Sequence, residues 1–188
     1  MIRILLVTSA LLLLGFGLLK LFVIGIEPKL TFFPSPEIKA TPADHGINFE
    51  QFRIPTSDGE TLTAWYLESD RPVARILFFH GNAGNVSSGR LDLLIELCRH
   101  GFSVFVFDYR GFGTSSGSPS EQGLYRDARA AANFFREELP ARPDLPVIYL
   151  GRSLGGPVAA RASTVEAPDG LILEATLPDK FTLLEEYP

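Results

Sequence analysis

The chain has 188 residues, of which 46% are apolar and 21% charged, with a formal net charge of −5. That length accommodates one domain of ordinary size plus a leader, and the apolar content supports a globular core. The acidic balance and the lack of Lys/Arg clusters argue against a nucleic-acid partner. A single cysteine, Cys98, excludes an internal disulfide and a cysteine-based metal cluster, and His45, His80 and His100 lie too far apart for metal-ligand spacing.

Residues 4–26 are almost wholly apolar, broken mainly by Thr8, Ser9 and Lys20. A bilayer core needs roughly 20 such residues, and the run exceeds the roughly 7–15 residues of a secretory h-region. The expectation over residues 1–26 is a single-pass membrane anchor, or an uncleaved signal. Arg3 and the amino terminus lie on one side, and Lys29 is offset by Glu27 on the other, which leans toward a catalytic domain outside the cytoplasm. Residues 27–44 contain Pro28, Pro34, Pro36 and Pro42 and read as an extended connector, because proline excludes a continuous helix or a central strand. The domain proper is expected over residues 45–188.

Residues 49–54 and 62–67 carry strand patterns, and Thr56-Ser57-Asp58-Gly59 between them signals a hairpin turn. Residues 75–79 form a short apolar run of the kind found in buried parallel strands. His80-Gly81-Asn82-Ala83-Gly84-Asn85 follows at once, a glycine-rich turn that exposes backbone N–H groups. Asn85-Val86-Ser87 matches a glycosylation triplet, which is common by chance. Residues 90–100 have helical spacing, with Gly101 as the stop and Cys98 as a buried thiol. A second buried strand over 102–107 ends in Asp108-Tyr109-Arg110-Gly111-Phe112-Gly113, where Asp108 and Arg110 read as structural partners rather than catalytic groups. Ser118-Pro119-Ser120-Glu121 matches a capping box with Ser118 as cap, leading into a helix that Pro140 and Pro143 close.

The stretch Val147-Ile148-Tyr149-Leu150-Gly151-Arg152-Ser153-Leu154-Gly155-Gly156 organises the rest. Four β-favouring residues run into Gly-x-Ser-x-Gly, and a helical pattern follows, with Pro157 in its first turn. Gly151 and Gly155 lack Cβ atoms, so strand and helix can approach closely around a strained turn. Ser153 Oγ would then project above the carboxyl end of the strand, at a helix N-terminus that favours an oxyanion. Residues 171–175 read as one more strand, and 180–187 as the start of a helix.

Strands alternating with helices behind a leading hairpin predict an α/β fold with a mostly parallel sheet and flanking helices, whose ligands bind at the carboxyl ends of the strands. The His80–Asn85 loop, the Asp108–Gly113 loop and Ser153 would gather there. On the residues quoted, together with Pro119-Ser120-Glu121-Gln122-Gly123-Leu124-Tyr125, the chain resembles the α/β-hydrolase superfamily. It is most similar to the membrane-anchored branch related to serine aminopeptidase-like hydrolases and α/β-hydrolase-domain proteins. The resemblance implies Ser153 as nucleophile toward a small-molecule ester, thioester or amide carbonyl, with an acyl-enzyme intermediate. It implies the backbone N–H groups of Asn82 and Leu154 as oxyanion donors, with His80, Gly81, Gly151 and Gly155 shaping the loops around them. No metal or organic cofactor is implied, since serine chemistry needs none.

The triad order in this fold is Ser, then Asp or Glu, then His. No histidine follows Ser153, and Asp169 and Asp179 read as a turn residue and a helix-start residue. The expectation is therefore a hydrolase lacking the C-terminal strands that carry its acid and base, inactive or impaired as it stands. The alternative is a non-catalytic, membrane-anchored binding or interaction protein with the same fold.

Overall fold

The computed structural model describes residues 12–22, 30–140 and 142–176. It divides the chain into two units, Met1–Phe33 and Pro34–Pro188. In the first unit, residues 12–22 are helical, and Leu12, Leu13, Phe16 and Leu21 are all more than half exposed. Among the described residues no helix is long and apolar enough to cross a membrane. The rest of the anchor expected over residues 1–26 lies outside the described residues, as does the helix expected over 180–187.

The second unit is built on a six-stranded sheet. Its strands are β1 (Glu50–Pro55), β2 (Thr61–Leu67), β3 (Ala74–Phe79), β4 (Phe102–Phe107), β5 (Val147–Arg152) and β6 (Gly170–Glu174). Their order across the sheet is β1-β2-β4-β3-β5-β6. β1 pairs antiparallel with β2, and β2 antiparallel with β4, while β4, β3, β5 and β6 run parallel. The sheet is thus mixed, because the hairpin joins it through β2. Among the described residues three helices flank it: α1 (Leu91–Arg99), α2 (Glu121–Glu137) and α3 (Gly155–Ser163).

Every residue of β3 is buried, Arg75 included, as its otherwise apolar sequence suits a strand covered on both faces. Side chains alternate between the faces. Ile76 and Phe78 of β3 join Val104 and Val106 of β4 in a cluster with Leu91, Leu94, Ile95 and Cys98 of α1. Burial raises the Cys98 thiol pKa, in keeping with a structural thiol. The opposite face is aromatic. Phe79 packs edge-on to Phe107 and Tyr149 at 5.7 and 5.4 Å between ring centroids, and Phe105 lies 5.8 Å from Phe135 of α2. Each such fully buried side chain contributes roughly 1.5–3 kcal/mol relative to exposure. β6 differs: Leu171, Ile172 and Leu173 are each more than 40% exposed.

α2 begins two residues later than the sequence pattern predicts. Ser120, not Ser118, is the cap, and its Oγ accepts the Gly123 N–H at 3.2 Å. Ser118 and Pro119 stay in the preceding loop, which the Gly111 N–H closes onto the Ser116 carbonyl at 2.9 Å. The first part of the proline-rich segment is extended and hydrogen-bonded into the domain. Ser35 N–H donates to the Gly84 carbonyl at 3.0 Å, Gly113 N–H donates to the Ser35 carbonyl at 3.0 Å, and Lys39 N–H donates to Ser87 Oγ at 3.0 Å.

Candidate functional site

The parallel register brings the ends of β3 and β5 together: Phe79 pairs with Gly151, at the point where both strands give way to their loops. Ser153 sits in the turn between β5 and α3 with φ of 53°, a left-handed conformation that side chains other than glycine rarely adopt. Three contacts hold it there. Its N–H donates to the Glu174 carbonyl at the end of β6 (2.9 Å), its carbonyl accepts the Gly156 N–H (2.9 Å), and the Thr176 hydroxyl donates to that same carbonyl (3.2 Å).

The glycines around Ser153 are steric necessities. A Cβ on Gly155 would collide with the Phe79 carbonyl, and one on Gly156 with the Thr176 hydroxyl. A Cβ on Gly151 would come within 2.5 Å of the Gly155 carbonyl oxygen and 2.8 Å of the Ala159 Cβ. Helix α3 therefore lies directly against β3 and β5, and the turn presents Ser153 at the carboxyl edge of the sheet.

The loop after β3 lies against this turn. A Cβ on Gly81 would stand 3.4 Å from both the Arg152 carbonyl oxygen and the Ser153 Cβ. His80 is fully buried, and its Nδ1 is 2.8 Å from the Gly81 carbonyl oxygen. Its Nε2 is 3.3 Å from Asp108 Oδ1, an oxygen that already accepts the Val86 N–H at 2.8 Å. That approach is not a hydrogen bond, and both Nε2 and Asp108 Oδ2 are buried without a hydrogen-bond partner. The ring packs against Tyr109 and Phe112 at 4.5 and 5.5 Å between centroids. Tyr109 hydroxyl donates to the His80 carbonyl at 3.2 Å, and burial raises this phenol well above its ordinary pKa. Asn82 is half-buried on the same loop, and Leu154 directly follows Ser153.

Two residues of this region escape the sequence pattern. Arg90, which in sequence only opens a helical pattern, is a buried guanidinium that donates to three carbonyls: Gly81 at 2.7 Å, Asn85 at 2.9 Å and Ser88 at 2.6 Å. Burial lowers its pKa, and the nearby Asp108 carboxylate works the other way. Asn85 is fully buried. Its Nδ2 donates to the Ser35 and Glu37 carbonyls, and its Oδ1 accepts from the Ser87 N–H and hydroxyl. With every polar position of its amide engaged, it is unavailable to a glycosyltransferase in the folded chain. An arginine a few residues beyond a glycine turn is a weak signal, and an Asn-x-Ser triplet misleads.

The Asp108–Gly113 loop is organised by charge. Arg110 donates through Nε and Nη2 to Asp127 Oδ1 at 2.9 and 2.8 Å, and through Nη1 to Asp58 Oδ2 at 2.8 Å. Its own N–H reaches Asp127 Oδ2 at 2.8 Å. Burial pushes the Asp127 carboxyl up, the Arg110 hydrogen bonds pull it down, and Asp58 is held well below the usual carboxylate range by Arg110. Arg110 is thereby a structural ion pair, in line with its sequence setting. None of the three histidines has Ser153 among the hydrogen-bond or ion-pair partners found for the described residues.

Known proteins are similar to this chain in sequence and in fold. Residues 70–180 match the model of the serine aminopeptidase family S33. An α/β-hydrolase domain-containing protein of Arabidopsis thaliana is 37% identical over 169 residues, which cover 82% of this chain and 53% of the relative. An uncharacterized membrane protein of Saccharomyces cerevisiae is 35% identical over 156 residues, 78% of this chain and 55% of the relative. An uncharacterized protein of Escherichia coli K12 is 36% identical over 142 residues, 72% of this chain and 49% of the relative. The chain spans about half the length of these curated relatives. Among solved structures, an α/β hydrolase from Vibrio vulnificus superposes with a TM-score of 0.66 at 24% identity, over 84% of this chain and 57% of that one. An esterase from Pyrococcus furiosus does so with a TM-score of 0.62 at 23% identity, over 73% and 53%. With the family match covering more than half of its residues, the chain belongs to the serine aminopeptidase-like family of the α/β-hydrolase superfamily.

Proposed function

We propose that this chain carries the nucleophile half of a serine hydrolase acting on carboxylic esters, thioesters or small peptides. The observation that supports this best is Ser153 itself. A serine held at φ of 53° costs of order 1–3 kcal/mol. Strained backbone of this kind clusters at functional sites. In this reading Ser153 Oγ attacks the acyl carbonyl, the N–H groups of Asn82 and Leu154 receive the developing oxyanion, and His80, Gly81, Gly151 and Gly155 hold the two loops in place. The substrate is a small acyl compound, and the chemistry requires no metal or organic cofactor. Membrane attachment through the apolar N-terminal stretch is part of the proposal. It draws support from the exposed leucines of the helix over residues 12–22 and from the yeast relative's designation as a membrane protein.

Among the described residues none of the three histidines is placed as a base for Ser153: His45 ends the short 3₁₀ turn Pro42–His45, His80 is buried with its Nδ1 on the Gly81 carbonyl, and His100 sits beside the exposed Glu96. Loss of a triad member typically lowers turnover by orders of magnitude. That no histidine contacts Ser153 among the described residues suits a second reading, a membrane-anchored protein of the same fold that binds or interacts without turnover. A fluorophosphonate probe with intact-mass detection separates the two. Slow, stoichiometric labelling that disappears in Ser153→Ala supports the hydrolase reading. Absence of labelling after prolonged exposure, with the fold intact, favours binding alone. Rapid labelling would reassign the base, with His80 first in line.

A further inference from the structure

Arg90 and His80 converge on one atom, the Gly81 carbonyl oxygen, at 2.7 and 2.8 Å. That oxygen belongs to the peptide unit whose nitrogen is the Asn82 N–H. Among the described residues no peptide bond is cis, so the unit is trans and planar, and its C=O and N–H point in opposite directions. Fixing the carbonyl on the Arg90 side therefore fixes the N–H toward the other side. The nucleophile turn packs against this same residue, since a Cβ on Gly81 would stand 3.4 Å from Ser153 Cβ and from the Arg152 carbonyl oxygen.

Gly81 has no side chain to resist a flip of this peptide, and glycine tolerates either orientation. The orientation has to be imposed from outside. Arg90 meets that requirement, because it is buried and its planar fork also binds the Asn85 and Ser88 carbonyls. Its three acceptors are neutral carbonyls rather than a carboxylate. A guanidinium whose only purpose was packing would bring a buried charge at a large desolvation cost. We propose that Arg90 is a positioning residue that orients the Gly81–Asn82 peptide, so that the Asn82 N–H faces the oxyanion formed at Ser153. This rests on the reading of Ser153 as nucleophile given above.

The test uses the full chain and three variants: Arg90→Lys, Arg90→Met and, as a matched control, Arg75→Met. Arg75 is also buried and donates to a backbone carbonyl, that of Phe135 at 2.9 Å, but it lies at the opposite end of β3. Phosphonylation of Ser153 by a fluorophosphonate is followed as a function of probe concentration. Here Oγ forms a bond to phosphorus, fluoride leaves, and the hydroxyl proton passes to solvent. Arg90→Met should lower the limiting rate roughly 10–100-fold, short of the 10²–10³-fold loss of an entire oxyanion donor, with the half-saturating probe concentration within about twofold of the parent. Arg90→Lys should recover part of the rate, and Arg75→Met should lose stability without that selective fall. Amide hydrogen exchange supplies a readout independent of activity: Asn82 should change in Arg90→Lys while Leu154 does not. An unchanged Asn82 amide in Arg90→Lys, or equal rate losses in Arg90→Met and Arg75→Met, would overturn the proposal. If the parent chain fails to label at all, the reading of Ser153 is what falls, and the Asn82 amide still decides whether Arg90 sets the peptide. Should Arg90→Met not fold, the comparison rests on Arg90→Lys.

Discussion

The loops after β3 and β4 look alike in sequence and differ in what holds them. Each follows a buried apolar strand, and each mixes glycine with polar residues. The loop after β3 is held by one cation on neutral carbonyls, Arg90 on Gly81, Asn85 and Ser88, and it lies against Ser153. The loop after β4 is held by a cation between two carboxylates, Arg110 between Asp58 and Asp127. Carboxylates compensate a buried guanidinium most directly, so the second loop keeps its charge paired and is costly to break. Carbonyl partners compensate it less and orient the backbone in return, so the first loop gives up stability to point a peptide unit. Sheet order assigns the roles: β3 is the neighbour of β5, and β4 is one strand further away.

Substitutions at the two loops and at the turn between them should break this contrast in graded fashion. The largest effect belongs to Gly155→Ala, where a methyl group would collide with the Phe79 carbonyl and prise the β5–α3 turn off the loop after β3. A loss of more than about 3 kcal/mol is expected, read as a large fall in Tm or as insoluble protein. A variant of parental stability would mean that α3 can shift away from β3.

Next comes Asp127→Asn, which leaves Arg110 with half its charge compensation in a site where Asp127 is fully buried. Urea unfolding should register a loss of about 2–3 kcal/mol, with no selective change in Ser153 labelling. A labelling defect without destabilisation would erase the distinction between the two loops.

The smallest effect is that of Asp58→Asn. Its carboxylate is 30% exposed, so screening limits the loss to about 1 kcal/mol or less at neutral pH. Arg110 lowers the pKa of Asp58 in the folded state. The stabilisation is therefore complete above the ordinary carboxylate value near 3.8 and is lost as pH falls through the lower folded-state value. The difference in unfolding free energy between parent and variant should hold constant from about pH 8 to pH 5 and shrink only in stronger acid. A difference that vanished between pH 7 and pH 5 would point to a histidine instead.

Much of the site's backbone is legible in the sequence. The strand from Val147, the glycines at 151 and 155 and the helical pattern after them predict a tight turn at Ser153, and the structure has it with a positive φ. The limits of β4 fall where the apolar run begins and ends. Cap choice is less legible: Ser118 and Ser120 both carry the right chemistry, and contacts of the loop with Gly111 select Ser120. The burial of Asn85 is not legible at all, because a three-residue pattern carries no information about what covers it.

The division follows from the range of the forces involved. Steric limits on φ and ψ, helical and strand periodicity, and the absence of a Cβ act within a few residues, so the sequence alone determined the strands, the Ser153 turn and the existence of two glycine-rich loops. Partners far apart along the chain depend on sheet order and register. Arg110 meets Asp58 across 52 residues, Asn85 reaches Ser35 across 50, and the loop after β3 meets Ser153 only because β3 and β5 pair in parallel. Only the tertiary structure could decide that Arg90 lies over the Gly81 carbonyl, because that contact requires α1, β3 and β5 to be packed first.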